Sequence, residues 1–237
     1  MSARNLLGSQ EMHPHIQKEN ARSMRQSGTG LTISSPNLTV MVHFYNNTAY
    51  LFRTVTMYPD VEQERVLDDI VTAKSWHWGR YSSGHRQSYL KTRVFVENCM
   101  REAFTRAYWP LKASRPVFFY LYPKLSVAFI EERLRQREQL DEPHTEYLLI
   151  DLTELSDTTH ISFTLCDSHT SYRETLIRQG LSAEKPAAAL ADHETVFHIQ
   201  EIVDLYQRHK GEDDLYFEVQ VWDPEILEIW RRSHEIA

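Results

Sequence analysis

The chain has 237 residues, 41% of them apolar, 11% aromatic and 25% charged, and carries a formal net charge of −7. That is enough apolar material for a sizeable core, and the acidic balance gives no long-range attraction to nucleic acid or anionic lipid. No apolar run approaches the ~20 residues that a membrane span needs, the opening Met1-Ser2-Ala3-Arg4-Asn5 lacks the apolar centre of a secretory signal, and Cys99 and Cys166 are too few for a disulfide framework or a zinc knuckle. The expectation is a cytoplasmic protein with no membrane partner and no metal.

Residues 1–36 are rich in Gly, Ser, Gln, Asn and Arg with hardly any apolar period, and read as a flexible leader before a single α+β domain over 37–237. Leu38–Phe44 and Ala49–Val55 are rich in Val, Phe, Tyr and Leu and read as two strands joined through Asn46-Asn47. Asp60–Thr72 has Val61, Val66, Leu67 and Ile70 at helical spacing. The stretch from Trp76 to His85 mixes aromatics, histidines and glycines without a period and reads as a loop, where function is often carried. A helix is expected over Gln87–Tyr108, with Phe95, Cys99, Ala103, Phe104 and Ala107 as its apolar stripe. Pro116–Tyr122 is a near-continuous apolar run, the mark of a central strand.

Ser126 is placed to cap a helix over Val127–Leu140, with Glu131 and Arg135 as a supporting pair. Tyr147–Leu152 and Ile161–Leu165 read as further strands. Ser171 and Glu174 form a capping box for a helix ending at Gly180, Lys185–Ala191 is weakly structured, and Phe197–His209 has a helical period. From Leu215 to Trp222 the residues alternate: Leu215, Phe217, Val219 and Val221 point one way, and Tyr216, Glu218, Gln220 and Trp222 the other. Asp223-Pro224 then offers an N-cap and an N1 proline for a last helix to Ser233. Strands and helices without regular alternation predict an α+β fold with mixed, mostly antiparallel sheets and flanking helices.

The chemistry narrows by elimination. His193 and His198 are five residues apart, about 140° around a helix, too far to share one ion. Cys166 near His169 is a candidate nucleophile set against the more ordinary reading of a buried inert thiol. With 7 glycines, the chain has no phosphate-binding loop, dinucleotide fingerprint or nucleophile elbow. Asp151, Glu154, Asp167 and Glu218 lie on or beside strands, where any two can face one cleft. Glu218 draws most notice, since an ionised side chain on an aromatic-rich strand is costly to bury unpaired. Its ordinary alternative is a half-exposed strand with Glu218 and Gln220 on a wet face.

One ordered series remains: Tyr50-Leu51-Phe52-Arg53-Thr54-Val55, Pro116-Val117-Phe118-Phe119-Tyr120, Ile161-Ser162-Phe163-Thr164-Leu165-Cys166-Asp167-Ser168-His169, and the Glu218 strand with its proline turn. Over about residues 50–232 it resembles the mono-ADP-ribosyltransferase superfamily, most nearly the DarT-type enzymes that modify DNA bases. The resemblance implies an ADP-ribosyltransferase-like fold and NAD as co-substrate. It further implies Glu218 as catalytic carboxylate and Arg53 holding a phosphate or ribose of NAD. Ser162 and Thr164 would frame the nicotinamide ribose, and Tyr120 would stack on a ring. DarT-type sequences resemble one another in a His-x-Thr start where this chain has Phe52-Arg53-Thr54, closer to the Arg–Ser–Glu branch that mostly modifies proteins, so a protein acceptor is favoured over nucleic acid. Two other classes stay open: an interaction domain presenting Trp76, Trp78, Tyr81 and Trp222 as an aromatic surface, and a two-carboxylate hydrolase.

Overall fold

The computed structural model describes residues 36–45, 51–73, 81, 86–139, 145–169, 192 and 195–236. The leader before Pro36, the Asn46-Asn47 turn, the Trp76–His85 stretch apart from Tyr81, the Ser171–Gly180 helix and Lys185–Ala191 lie outside the described residues.

Among the described residues six strands form one sheet: β1 (Val40–Tyr45), β2 (Val117–Leu121), β3 (Glu146–Asp151), β4 (Ile161–Leu165), β5 (Phe197–His198) and β6 (Phe217–Val221). Their spatial order is β3-β1-β2-β6-β4-β5, and every neighbouring pair is antiparallel. Five helices accompany it among the described residues: α1 (Asp60–Thr72), α2 (Arg86–Ala107), α3 (Val127–Gln139), α4 (Ile202–His209) and α5 (Pro224–Ser233). The α+β class with an antiparallel sheet is therefore as the sequence predicts.

Both faces of the sheet are covered. On one, Val117, Phe119 and Leu121 of β2 and Phe217, Val219 and Val221 of β6 pack with Ile202 and Leu205 of α4 and with Ile226, Leu227 and Trp230 of α5. On the other, Phe118 and Trp222 meet Val96, Met100 and Phe104 of α2. Beside them, Val42, Phe44 and Tyr122 meet Ile130 of α3. Removing one such large apolar side chain from water contributes about 1.5–3 kcal/mol. A strand enclosed on both sides has no wet face, so all five residues of β6 are buried, including Glu218 and Gln220. The half-exposed reading of this strand is corrected accordingly.

Three further expectations are corrected. The strand over Ala49–Val55 is not formed in its described part: the chain turns at Leu51 and Phe52, the latter at φ 57°, and Val55–Met57 is a short 3-10 helix. Both edges of β1 are already occupied by β2 and β3, leaving no edge for a hairpin partner. Phe52 packs instead into the core beside Phe119 and Trp230. The stripe of α2 is rotated from the expected one, burying Leu90, Val96, Glu97, Met100 and Phe104 and leaving Phe95 43% exposed. The helix expected from Phe197 begins later, because Phe197 and His198 pair with Phe163 and Ser162 of β4. His198 and Glu201 then form a capping box that opens a 3-10 turn leading into α4.

Local signals elsewhere hold. The Ser126 hydroxyl accepts from Phe129 N–H at 3.1 Å to start α3, although Arg135 pairs with Glu132 rather than Glu131. Asp223 accepts from Glu225 N–H at 3.2 Å with Pro224 at N1, and Lys112 adds an ion pair to it at 2.6 Å. Asn37, 5% exposed, fastens the start of β1. Its carboxamide oxygen accepts from Val40 N–H at 2.9 Å, while its NH2 donates to the carbonyls of Val40 at 2.8 Å and Tyr122 at 3.2 Å.

Asn37→Ala leaves these buried backbone groups unpaired, and the expected cost is about 1–3 kcal/mol. Urea unfolding should show a lower midpoint at unchanged slope.

Candidate functional site

β6 lies at the centre of the sheet, between β2 and β4, and its register sets Glu218 opposite Tyr120 on one side and Thr164 on the other. Glu218 is 2% exposed and points to the face covered by α2. Burial pushes its carboxyl up to about 7; the positive charge of Arg93 opposes the rise and the nearby Asp167 adds to it. Ser168 donates a hydrogen bond to Glu218 Oε1.

Below Glu218 the same face carries a polar ladder. Trp222 Nε1 donates to Ser162 Oγ at 2.8 Å, Ser162 Oγ donates to Gln220 Oε1 at 2.8 Å, and Gln220 Nε2 donates to Thr164 Oγ1 at 3.2 Å and to the Glu218 carbonyl at 2.8 Å. Period-two alternation places these side chains in one column, and the pairing satisfies polar groups that water does not reach. Ser162 and Thr164 therefore lie in line with Glu218, held by Gln220.

The cation at Glu218 comes from α2. The Arg93 guanidinium lies 3.7 Å over the Phe118 ring and pairs with Glu97 at 3.0 Å, and Arg115 adds a contact to Glu97 at 3.5 Å. Arg93, Glu97 and Arg115 thus form a mostly buried ion cluster whose charge acts on Glu218, and each member would be costly alone. Arg53 is placed differently. It is exposed, its guanidinium lies 5.9 Å from the Tyr58 ring centre, and the adjoining Phe52 packs on the opposite face of the sheet. Nothing in the structure brings Arg53 to Glu218.

The other named residues separate as well. Of the four strand carboxylates, Asp167 and Glu218 come together, whereas Asp151 caps the turn at Thr153 and Glu154 accepts from Trp230 Nε1. Trp222 is fully buried and belongs to no surface patch. Tyr81 meets Tyr89 edge-on at 5.2 Å, and Tyr89 meets His169 at 4.7 Å, so this one described residue of the Trp76–His85 stretch borders the site. The Cys166 thiol is pushed up by burial, which keeps it protonated and poorly nucleophilic at neutral pH.

Cys166 matters through its backbone. At φ 57° it occupies the left-handed region that side chains other than glycine seldom adopt. Its N–H donates to the Tyr216 carbonyl at 3.0 Å, and the chain then turns so that Ser168 meets Glu218.

Arg93, Glu97, Ser168 and Gln220 were not singled out as site residues in the sequence. A signal existed for Glu97, which sits on the Leu90–Val96–Met100–Phe104 stripe where a carboxylate needs a partner. An open hollow of about 350 Å³, lined by Thr56, Met57, Arg115 and Pro224 among others, lies at the far ends of β2 and β6 and includes none of the expected residues. No group of three His, Cys, Asp or Glu suited to a metal ion occurs among the described residues, and none of their helices is long and apolar enough to cross a membrane. Comparisons with known protein families, with curated proteins and with solved structures find no match.

Two outcomes test this geometry. Because the folded pKa of Glu218 lies above its ordinary 4.5, the fold favours the neutral acid. Its contribution is full below 4.5 and is lost as pH rises through about 7. Glu218→Gln, fixed in the neutral state, should gain on the wild type by roughly 2–3 kcal/mol across that interval, read from urea midpoints at pH 4.5 and 8. Cys166→Gly should be neutral or stabilising, and Cys166→Val destabilising by about 1–3 kcal/mol, since only the first relieves the left-handed backbone.

Proposed function

We propose that this chain transfers ADP-ribose from NAD to a macromolecular acceptor, a protein rather than a nucleic acid, in the cytoplasm. What supports the reading most is Glu218: a carboxyl on the central strand, enclosed by aromatic rings, faced by a guanidinium and held near the pH of the cell. In the proposed reaction the glycosidic bond between nicotinamide and ribose breaks and its electron pair leaves with nicotinamide. The positive charge that develops on the ribosyl carbon is stabilised by the Glu218 carboxylate. The acceptor then bonds to that carbon and loses its proton. Ser168 orients Glu218 through its hydrogen bond. Arg93, not Arg53, is the cation that favours the ionised form of Glu218.

The proximity of Asp167 to Glu218 favours a second reading, a hydrolase in which Glu218 stays protonated as general acid and Asp167 is the base. The two readings have opposite pH dependence.

With labelled NAD and cell extract, the wild type should release nicotinamide and label protein. The rate should rise as pH passes through about 7 and fall about 100-fold or more in Glu218→Gln. Absence of nicotinamide release together with absence of an NAD-dependent thermal shift overturns the transferase reading. Turnover that falls above pH 7 moves the assignment to the hydrolase.

A further inference from the structure

Next to Glu218, three tyrosines gather at the ends of β2 and β6. Tyr120 stands opposite Glu218 in the register, and Tyr122 and Tyr216 continue the same two strands by two residues on the same face. Their ring centres are 6.1 Å apart for Tyr120 and Tyr122, 6.0 Å for Tyr120 and Tyr216, and 5.8 Å for Tyr122 and Tyr216. Helix α3 closes one side of the group. Phe129 lies 4.8 Å from Tyr122, and the Arg133 guanidinium lies 5.7 Å from the Tyr122 ring and 5.2 Å from the Phe129 ring. Arg137 follows one turn later on the same face of the helix and, with Arg133, acts electrostatically on the Tyr122 phenol.

Packing fixes the rings in one apolar cluster, while neither the hydroxyl of Tyr122, 8% exposed, nor that of the half-buried Tyr216 bonds another described residue. The carboxyl groups of Glu218 and Asp167 both act on Tyr120 and Tyr216, so phenols, acids and guanidinium groups converge on one place. Aromatic faces and phenol hydroxyls suit the C–H face and hydroxyls of a sugar. Carboxylates accept from sugar hydroxyls, and a pair of arginines on one helix face suits a phosphate. A bare base has no use for the acids, and an unmodified sugar has no use for the arginines.

We propose that Tyr122, Tyr216, Arg133 and Arg137 form a subsite for a phosphorylated sugar, the sugar on the tyrosines and the phosphate on α3. The assignment builds on the transferase reading, in which the occupant is the ribosyl phosphate of NAD, and it makes α3 rather than Arg53 the phosphate anchor.

The test is calorimetric titration of the full chain carrying Glu218→Gln, so that turnover plays no part, with ribose 5-phosphate, ADP-ribose, ribose and inorganic phosphate. The two phosphorylated sugars should bind at least tenfold more tightly than ribose or phosphate, with affinity falling as salt is raised. Arg133→Gln should weaken ADP-ribose about tenfold or more. Tyr122→Phe should weaken it several-fold without lowering the urea midpoint, since that hydroxyl bonds no other described residue. Arg135→Gln, exposed and paired with Glu132, should change nothing. Equal binding of ribose and ribose 5-phosphate, or an unaltered affinity in Arg133→Gln, overturns the subsite. Failure of the two proposals is separable: ADP-ribose binding without NAD cleavage by the wild type sinks the transfer reaction alone, and NAD cleavage with unchanged KM in Arg133→Gln sinks the subsite alone.

Discussion

The burial of Glu218 beneath α2, opposed by the positive charge of Arg93, is the constraint on which the rest of the candidate site depends. A carboxyl that is 2% exposed in an aromatic layer is tolerable in two ways, by taking up a proton or by meeting a cation. This fold provides for both. Burial drives the group toward the neutral acid, and a guanidinium lying on Phe118 pulls it back, leaving it balanced near neutrality. Arg93 is in turn balanced by Glu97 one turn on, and Glu97 by Arg115 from beyond the end of α2, so a cluster of ions stands behind the charge that acts on Glu218.

The alternation of β6 was legible because a strand in the middle of a sheet offers no other side-chain arrangement, and the same holds for β2, whose apolar run marks its central place. Caps were legible where one residue suffices to make them, at Ser126 and Asp223. The cation at Glu218 was not. Arg93 and Glu97 are four residues apart in a helix, a spacing that ordinarily marks a solvated face, and only the rotation of α2 against β6 carries the pair inside. Arg53 illustrates the converse. It follows a segment rich in strand-forming residues, but the left-handed turn at Phe52 and the occupied edges of β1 take it out of the sheet. Tertiary competition for strand edges decides such cases, and no local propensity carries that information.

The site divides along the strand axis. Toward Trp222 lies a column of neutral polar side chains, each engaged with the next, which fixes the rotamers below Glu218. Toward Tyr122 and Tyr216 lie aromatic rings packed on one another, whose hydroxyls bond no other described residue. Glu218 stands at the junction, 2% exposed, between the two groups.

The strand order also has a bearing on how the chain reaches this structure. β6 separates β2 from β4, so neither of those strands has its inner neighbour until residues 217–221 have been synthesised. A growing chain can join β1 to β2 and β3 early, but β4 and β5 have no route into the sheet before the penultimate element arrives. Closure is thus a late, long-range event of the kind that folds slowly and leaves strand edges uncovered in the meantime. Glu218 is carried by the segment that completes the sheet, so its enclosure and the completion of the fold coincide.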